Sequence, residues 1–149
     1  MRQRVYVDTS VISALYDDRY PDRRTLTAAF WARLAEFEAC TSELARIELH
    51  QTPDPMRRDS LLKALGQLTI HQVTHDMRAL ARRYVDAGLF TRRSLNDGLH
   101  VAAAVLTRND VLVSWNFRHL VNRSCRAAIT AFHLPNGLPN LDIISPPEI

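Results

Sequence analysis

The sequence predicts an α/β fold, namely a three-layer α/β/α sandwich with a mostly parallel central sheet. Short β-rich runs, of which Val5–Val7 and Val111–Val113 are the clearest, alternate with longer segments whose apolar residues recur at helical spacing. This alternation is typical of a parallel sheet that is covered by helices on both faces. The chain has 149 residues, of which 46% are hydrophobic. That is enough to bury a core, so residues 1–149 are expected to form a single domain.

The other elements follow from the same signals. Further strands are predicted at Ala39–Thr41, Thr69–Val73 and Leu141–Ile144. Helices are predicted directly after the first strand, at Glu43–His50, around Leu61–Leu65, at Asp76–Ala87, from Leu95 to about Thr107, and after Asn116 to about Phe132. Ser42 and Ser94 are candidate N-caps, and Gly88 is a candidate C-cap.

The stretch between the first two strands is predicted as a polar loop followed by a helix. Asp17–Asp22 is polar and contains Pro21, which favours a loop. Apolar residues then recur at helical spacing, namely Leu26, Phe30, Trp31, Leu34 and Phe37. Its aromatic residues are expected in the core, with a dimer surface as the alternative.

Composition excludes several classes of protein. No apolar run approaches the roughly 20 residues of a membrane helix, and the basic start is not followed by the apolar stretch of a signal peptide. Two cysteines, Cys40 and Cys125, cannot form a disulfide framework, which favours a cytoplasmic protein. Of the 19 Lys and Arg residues only Lys63 is a lysine. Arginine matches phosphate geometry, although a solvated surface also accounts for this bias.

Acidic and amide side chains follow two of the predicted strands at their carboxyl ends, where parallel sheets bind ligands. Asp8 directly follows the first strand, and Asn116 lies just beyond Val111–Val113. Asp97 lies in the first turn of a predicted helix, and Glu48 lies on the helix after the second strand. Asp110 precedes its strand, so it belongs to the opposite edge and is excluded.

These oxygen-bearing side chains suit metal-assisted cleavage of a phosphodiester. One or two Mg²⁺ ions make a water nucleophilic and neutralise the leaving oxygen, and a few carboxylates suffice to hold them. Each acid alone has an ordinary structural explanation, since Asp8 suits an N-cap, Asp97 suits the helix dipole and Glu48 suits a solvated helix face. The joint pattern favours the functional interpretation.

Four segments resemble the motifs of PIN domains, in the order in which that family has them. They are Val5–Ser13, Thr41–Leu49, Leu95–Ala104 and Val111–Leu120, and the last resembles one branch of VapC-like toxins. Together they span most of the chain. One such motif alone is weakly specific, whereas four in order are fairly specific.

The resemblance implies a ribonuclease dependent on Mg²⁺ or Mn²⁺, with an antitoxin protein as partner and a homodimer in many relatives. It carries the three metal-binding acids over to Asp8, Glu48 and Asp97, and it places Asn116 where many members have aspartate. Asparagine offers a carbonyl oxygen or orients a water but brings no charge. Thr9 and Ser10 are expected to support Asp8 or a metal-bound water.

Several alternatives stand beside this hypothesis. The main one is a catalytically degenerate PIN-like module that binds RNA or protein, which Asn116 favours. Glu43 either joins the metal site or stabilises the start of its helix, and the latter is preferred. A zinc site is disfavoured because the histidines lack ligand spacing, and His100 is expected to pack or to support the acids. A phosphotransfer domain is disfavoured because this chain lacks the second acid that such a site needs. A nucleotide-binding fold is disfavoured because no glycine-rich loop follows the first strand.

Overall fold

The computed structural model describes all of residues 1–149 and contains one five-stranded sheet whose strands are all parallel. The strands are β1 (Gln3–Val7), β2 (Phe37–Ser42), β3 (Thr69–His71), β4 (Val111–Val113) and β5 (Asp142–Ile144), in the order β3-β2-β1-β4-β5. The helices are α1 (Thr9–Ala14), α2 (Pro21–Trp31), α3 (Glu43–His50), α4 (Pro55–Leu65), α5 (His75–Asp86), α6 (Leu95–Leu106) and α7 (Arg123–His133). The predicted α/β/α sandwich is therefore confirmed.

The sheet separates two hydrophobic cores. Val5 and Val7 of β1 pack on one side with α1 to α4, whereas Tyr6 packs on the other side with α5 to α7. This alternation is the period of two expected of a strand. All three residues are fully buried, because a central strand of a parallel sheet is covered by helices on both faces.

The stretch between β1 and β2 differs from the prediction. Pro21 is the first residue of α2 rather than part of a loop, a position where the fixed φ of proline and its missing N–H are tolerated. The helix ends at Trp31, a 3-10 turn covers Leu34–Glu36, and Phe37 begins β2. The prediction that Leu34 and Phe37 belong to the helix is thus wrong. Phe37 pairs with Gln3 in the sheet, so strand pairing outweighed the local pattern.

Other element bounds differ from the predictions by a few residues. Strand β3 ends at His71 rather than Val73, and α7 begins only at Arg123. Gly88 has a φ of 82° just beyond α5, as a helix-ending glycine requires. Ser42 and Ser94 precede helices but donate or accept no capping hydrogen bond through their side chains. None of the helices has both the length and the apolar content needed to cross a membrane.

Candidate active site at the carboxyl edge of the sheet

The centre of the candidate site lies where β1 and β4 end side by side. Val7 pairs with Val113, and the backbone N–H of Asp8 donates to the Val113 carbonyl oxygen at 3.0 Å. Asp8 is buried, with only 4% of the residue exposed. Its Oδ2 accepts hydrogen bonds from Ser10 Oγ at 2.6 Å and Ser114 Oγ at 2.8 Å. Asp8 occupies the N-cap position of α1, but its side chain makes no capping hydrogen bond, so the helix start does not account for this carboxylate.

Helix α3 brings Glu48 to the same edge, because α3 starts where β2 ends. Glu48 Oε1 accepts from Thr9 Oγ1 at 2.8 Å, and it lies 2.6 Å from His100 Nε2. The same imidazole nitrogen is 3.5 Å from Asp8 Oδ1. His100 therefore stands between two of the predicted metal ligands. Thr9 supports Glu48 rather than Asp8, whereas Ser10 supports Asp8 as expected.

Asp97 reaches the site from the first turn of α6 and is held there by Asn116. The Asn116 side-chain amide donates from Nδ2 to Asp97 Oδ1 at 3.1 Å. Its own Oδ1 accepts from the backbone N–H of His119 at 2.9 Å. The side-chain carbonyl oxygen of Asn116 thus accepts a hydrogen bond within its own loop, and the side-chain NH2 group faces the Asp97 carboxylate. A carboxylate at position 116 would instead place a like charge beside Asp97.

The charges of these groups shift one another's titration. Burial, followed by the negative charge of Asp8, raises the pKa of Asp97. Burial also raises the pKa of Glu48, but its hydrogen bond with His100, the charge of His100 and the Thr9 hydroxyl outweigh that effect and the pKa is lowered. Burial lowers the pKa of His100, yet the charge of Asp8 and the contact with Glu48 prevail and raise it. The site therefore favours the ionised form of Glu48 and disfavours that of Asp97.

A buried chain of hydrogen bonds continues behind Glu48. Tyr6 Oη lies 2.7 Å from His100 Nδ1 and 2.7 Å from Ser42 Oγ. Burial raises the pKa of Tyr6, which keeps the phenol protonated. With a protonated imidazole, which the raised pKa of His100 favours, Nε2–H donates to Glu48, Nδ1–H donates to Tyr6, and Tyr6 donates to Ser42. The imidazole is thus fixed from behind and presents one nitrogen to the carboxylates.

The structure assigns clear positions to the remaining candidates. Glu43 pairs with Arg46 at 3.1 Å in the first turn of α3 and makes no hydrogen bond with the site residues. Asp110 accepts from the backbone N–H of Arg4 at the opposite edge. Sequence reasoning missed Ser114, although its place directly after β4, alongside Asp8, was a usable signal. Tyr6 gave no signal, because its residue type is ordinary in a buried strand.

The carboxylates have the chemistry of a site for a divalent cation. One oxygen of each is engaged in a hydrogen bond from a neighbour, and the other accepts none, namely Asp8 Oδ1, Glu48 Oε2 and Asp97 Oδ2. No three carboxylate, histidine or cysteine side chains have the spacing that encloses a metal ion. Mg²⁺ retains several waters and binds through one or two carboxylates, so the donor set fits this ion without a closed cage.

A cavity of about 450 Å³ lies elsewhere, at the amino edge of the sheet, and Arg4, Glu38 and Asn109 are among its lining residues. Arg4 there is occupied by Glu38 at 2.9 Å and by the carbonyl oxygens of Thr107 and Arg108. The cavity lies at the edge opposite to the carboxylates and therefore plays no part in the candidate site.

The fold and the acidic edge define a PIN-type α/β domain, and comparison of sequences agrees. The family model described as the PIN domain matches residues 5–119, which is most of the chain and includes every site residue described above. The chain belongs to the PIN domain family. No curated protein sequence matches it.

Solved structures with this fold include toxin–antitoxin complexes. A chain of a toxin–antitoxin complex from Klebsiella pneumoniae superposes with a TM-score of 0.60 and 15% identity, covering 81% of this chain and 93% of that one. A chain of VapBC2 from Rickettsia felis, bound to a DNA fragment from its promoter, superposes with a TM-score of 0.59 and 15% identity, covering 96% of this chain and 98% of that one. A chain of DNA-bound VapBC from Salmonella typhimurium superposes with a TM-score of 0.52 and 14% identity, covering 97% of this chain and 98% of that one. At these identities the likeness shows a shared fold.

Proposed function

We propose that this PIN domain is a ribonuclease dependent on Mg²⁺ or Mn²⁺ and the toxin of a VapC-type toxin–antitoxin pair. The observation that carries the proposal is the meeting of Asp8, Glu48 and Asp97 at one edge, each with a carboxylate oxygen that accepts no hydrogen bond. A bound divalent cation supplies charge neutralisation at the phosphodiester and lowers the pKa of a water. Both effects promote phosphodiester hydrolysis.

The chain's own residues orient these carboxylates before substrate arrives. Ser10 and Ser114 hold Asp8 through Oδ2, and Asn116 holds Asp97 through Oδ1. Thr9 and His100 hold Glu48 through Oε1. These contacts fix one oxygen of each acid and leave the other without a hydrogen-bond donor. Such preorganisation reduces the rearrangement needed when charge develops on the reacting phosphate.

The partner proposal rests on the solved structures with this fold, which include VapBC and other toxin–antitoxin complexes. We infer that an antitoxin binds this chain and that RNA is its substrate, and we expect a homodimer in solution. Both cysteines are free, which supports action in a reducing cytoplasm. A short reading frame directly upstream that encodes a DNA-binding N-terminus would support the toxin role.

The test of the nuclease compares wild type with Asp8→Asn on RNA in the presence of Mn²⁺. Asparagine at position 8 retains an oxygen for Ser10 and Ser114, so the fold is expected to persist while cleavage is lost. Asp110→Asn is the matched control, because Asp110 lies at the opposite edge and accepts from a backbone N–H. Cleavage by Asp8→Asn at the wild-type rate would refute this function.

A second candidate function is a degenerate PIN module that binds RNA without cutting it. Asn116 in place of an acid, with its carbonyl oxygen occupied by His119, favours this candidate. RNA binding by wild type with no cleavage in Mg²⁺ or Mn²⁺ would establish it. Asn116→Asp distinguishes the two further, since it would restore cleavage only if the missing charge were the cause.

A further inference from the structure

We infer that Tyr20, Arg23 and Phe117 form a binding subsite for an unpaired nucleotide of a single-stranded RNA, beside the acidic edge. The inference rests on the proposed nuclease function and specifies its substrate class. Tyr20 and Arg23 line a cavity of about 210 Å³ together with Ser10, Arg19 and Trp115. Phe117 lies next to this lining, with its ring centre 6.0 Å from that of Trp115. These residues are called the aromatic–arginine subsite below.

Arg23 stands at the centre of the subsite without an anionic partner. Its guanidinium carbon lies 5.0 Å from the ring centre of Tyr20, 5.5 Å from that of Trp115 and 5.4 Å from that of Phe117. The neighbouring arginines are paired, Arg19 with Asp17 and Arg24 with Asp18. The Arg23 side chain makes no such pair and no hydrogen bond, whereas the Arg23 backbone carbonyl oxygen accepts from Thr27 Oγ1 at 2.6 Å. The planar donors of the side chain are therefore free for a phosphate, whose geometry they match.

Two of the three rings are open to a ligand. Tyr20 is 50% exposed and Phe117 is 46% exposed, whereas Trp115 is buried. The Trp115 indole donates to Thr27 Oγ1 at 2.8 Å, which fastens the floor of the subsite to α2. Exposed rings of this size beside a half-buried cation are a platform on which a nucleobase stacks. The fixed floor means that little side-chain order has to be gained on binding.

The subsite is continuous with the acidic edge on two sides. Ser10 lines the cavity and donates to Asp8, and its oxygen accepts from the backbone N–H of Trp115 at 2.9 Å. Phe117 directly follows Asn116, which holds Asp97. A nucleotide stacked in the subsite would therefore place its neighbouring phosphodiester toward the carboxylates. The geometry accounts for positioning of the strand and not for the chemical step.

Single-stranded RNA fits these features better than a protein segment does. Stacking requires a base with both faces accessible, which a duplex does not offer. A free guanidinium among aromatic rings is suited to the alternation of phosphate and base along a strand. A docked protein helix would require a continuous apolar surface, whereas this subsite also contains Asp17, Arg19 and Ser13.

The experiment measures the dissociation constant of a short, fluorescein-labelled single-stranded RNA of mixed sequence. The background is Asp8→Asn, so that the probe is not cut, and the variants added to it are Arg23→Gln and the double variant Tyr20→Leu with Phe117→Leu. Arg83→Gln is the matched control, because Arg83 also packs on a ring, that of Phe132 at 5.2 Å, but on the other side of the sheet. Thermal unfolding of each variant verifies that it is folded.

Each subsite variant is expected to weaken binding by about fivefold or more, which is the lower bound for one stacked base. Arg23→Gln should also reduce, by about one, the magnitude of the slope of the logarithm of the binding constant against the logarithm of the salt concentration. An abasic probe should bind the Asp8→Asn background and the double variant equally. Unchanged RNA binding in both variants, or an equal loss in Arg83→Gln, would overturn the inference and favour a protein-docking role. Wild-type cleavage is measured separately, so a failure here with cleavage intact overturns the subsite alone.

Discussion

Replacing Asp97 with asparagine should stabilise the protein while removing the proposed nuclease activity. Burial and the charge of Asp8 raise the pKa of Asp97, which means that the fold disfavours its ionised form. At neutral pH the carboxyl is nevertheless charged when unfolded, so folding carries an electrostatic cost. Asparagine removes the charge and retains an oxygen to accept from Asn116 Nδ2. The cost is therefore relieved without breaking the contact.

The size of the stabilisation follows from the surroundings of Asp97. Two unit charges about 4 Å apart repel by roughly 4 kcal/mol at an effective dielectric near 20. Asp97 is only partly buried, and solvent reduces the interaction, so we expect a gain of about 1 kcal/mol in the free energy of unfolding. For a chain of this size that corresponds to a melting temperature higher by about 3 °C.

The assay is urea unfolding with EDTA, repeated in Mg²⁺, together with RNA cleavage. Asp97→Asn should be more stable than wild type in EDTA, should gain less from Mg²⁺, and should not cleave. Asp110→Asn is again the matched control, and it should leave the response to Mg²⁺ and the cleavage rate unchanged because Asp110 lies at the opposite edge. The reasoning is refuted if Asp97→Asn is less stable in EDTA or gains as much as wild type from Mg²⁺.

Three further predictions follow from other contacts. Mn²⁺ or Mg²⁺ at a concentration about one hundred times its dissociation constant should raise the free energy of unfolding of wild type by about 2.7 kcal/mol. A melting temperature that does not change when EDTA removes the ion would contradict this prediction. Ser114→Ala should lower the free energy of unfolding by about 1–3 kcal/mol and slow cleavage, because Ser114 is fully buried, donates to Asp8 and accepts from the Asn116 N–H; a neutral effect on both would count against it. His133 is buried beside Tyr84 Oη at 2.6 Å, and burial lowers its pKa, so the unfolded state binds a proton first as pH falls. Wild type should therefore lose more stability below about pH 6.5 than His133→Gln does, as urea midpoints at several pH values will show.

Much of the fold was accessible from local patterns. All five strands were located, and the alternation of strands with helices correctly predicted a parallel sheet. The failure between Leu34 and Phe37 has a physical cause. Apolar residues three apart suit a helix, but Phe37 gained a backbone partner in Gln3 and a buried site against Phe30, at 5.9 Å between ring centres. Such pairing depends on residues more than thirty positions away, which no local window contains.

The candidate site divides in the same way. The strand-end rule selected Asp8 and set Asp110 aside, and the motif order selected Glu48 and Asp97. The sequence did not predict which hydroxyl supports which carboxylate. Thr9 was expected to support Asp8 or a metal-bound water, but its hydroxyl donates to Glu48. That choice depends on how α3 and α6 pack on the sheet.

The sequence by itself determined the fold class, the family and the acids of the candidate site, because strand ends and motif order are local properties of the chain. Only the tertiary structure decided that His100 lies between Glu48 and Asp8, that Asn116 turns its amide toward Asp97, and that Arg23 is enclosed by three rings. These contacts join distant segments through side-chain packing and hydrogen-bond geometry. Residue spacing along the chain does not encode them.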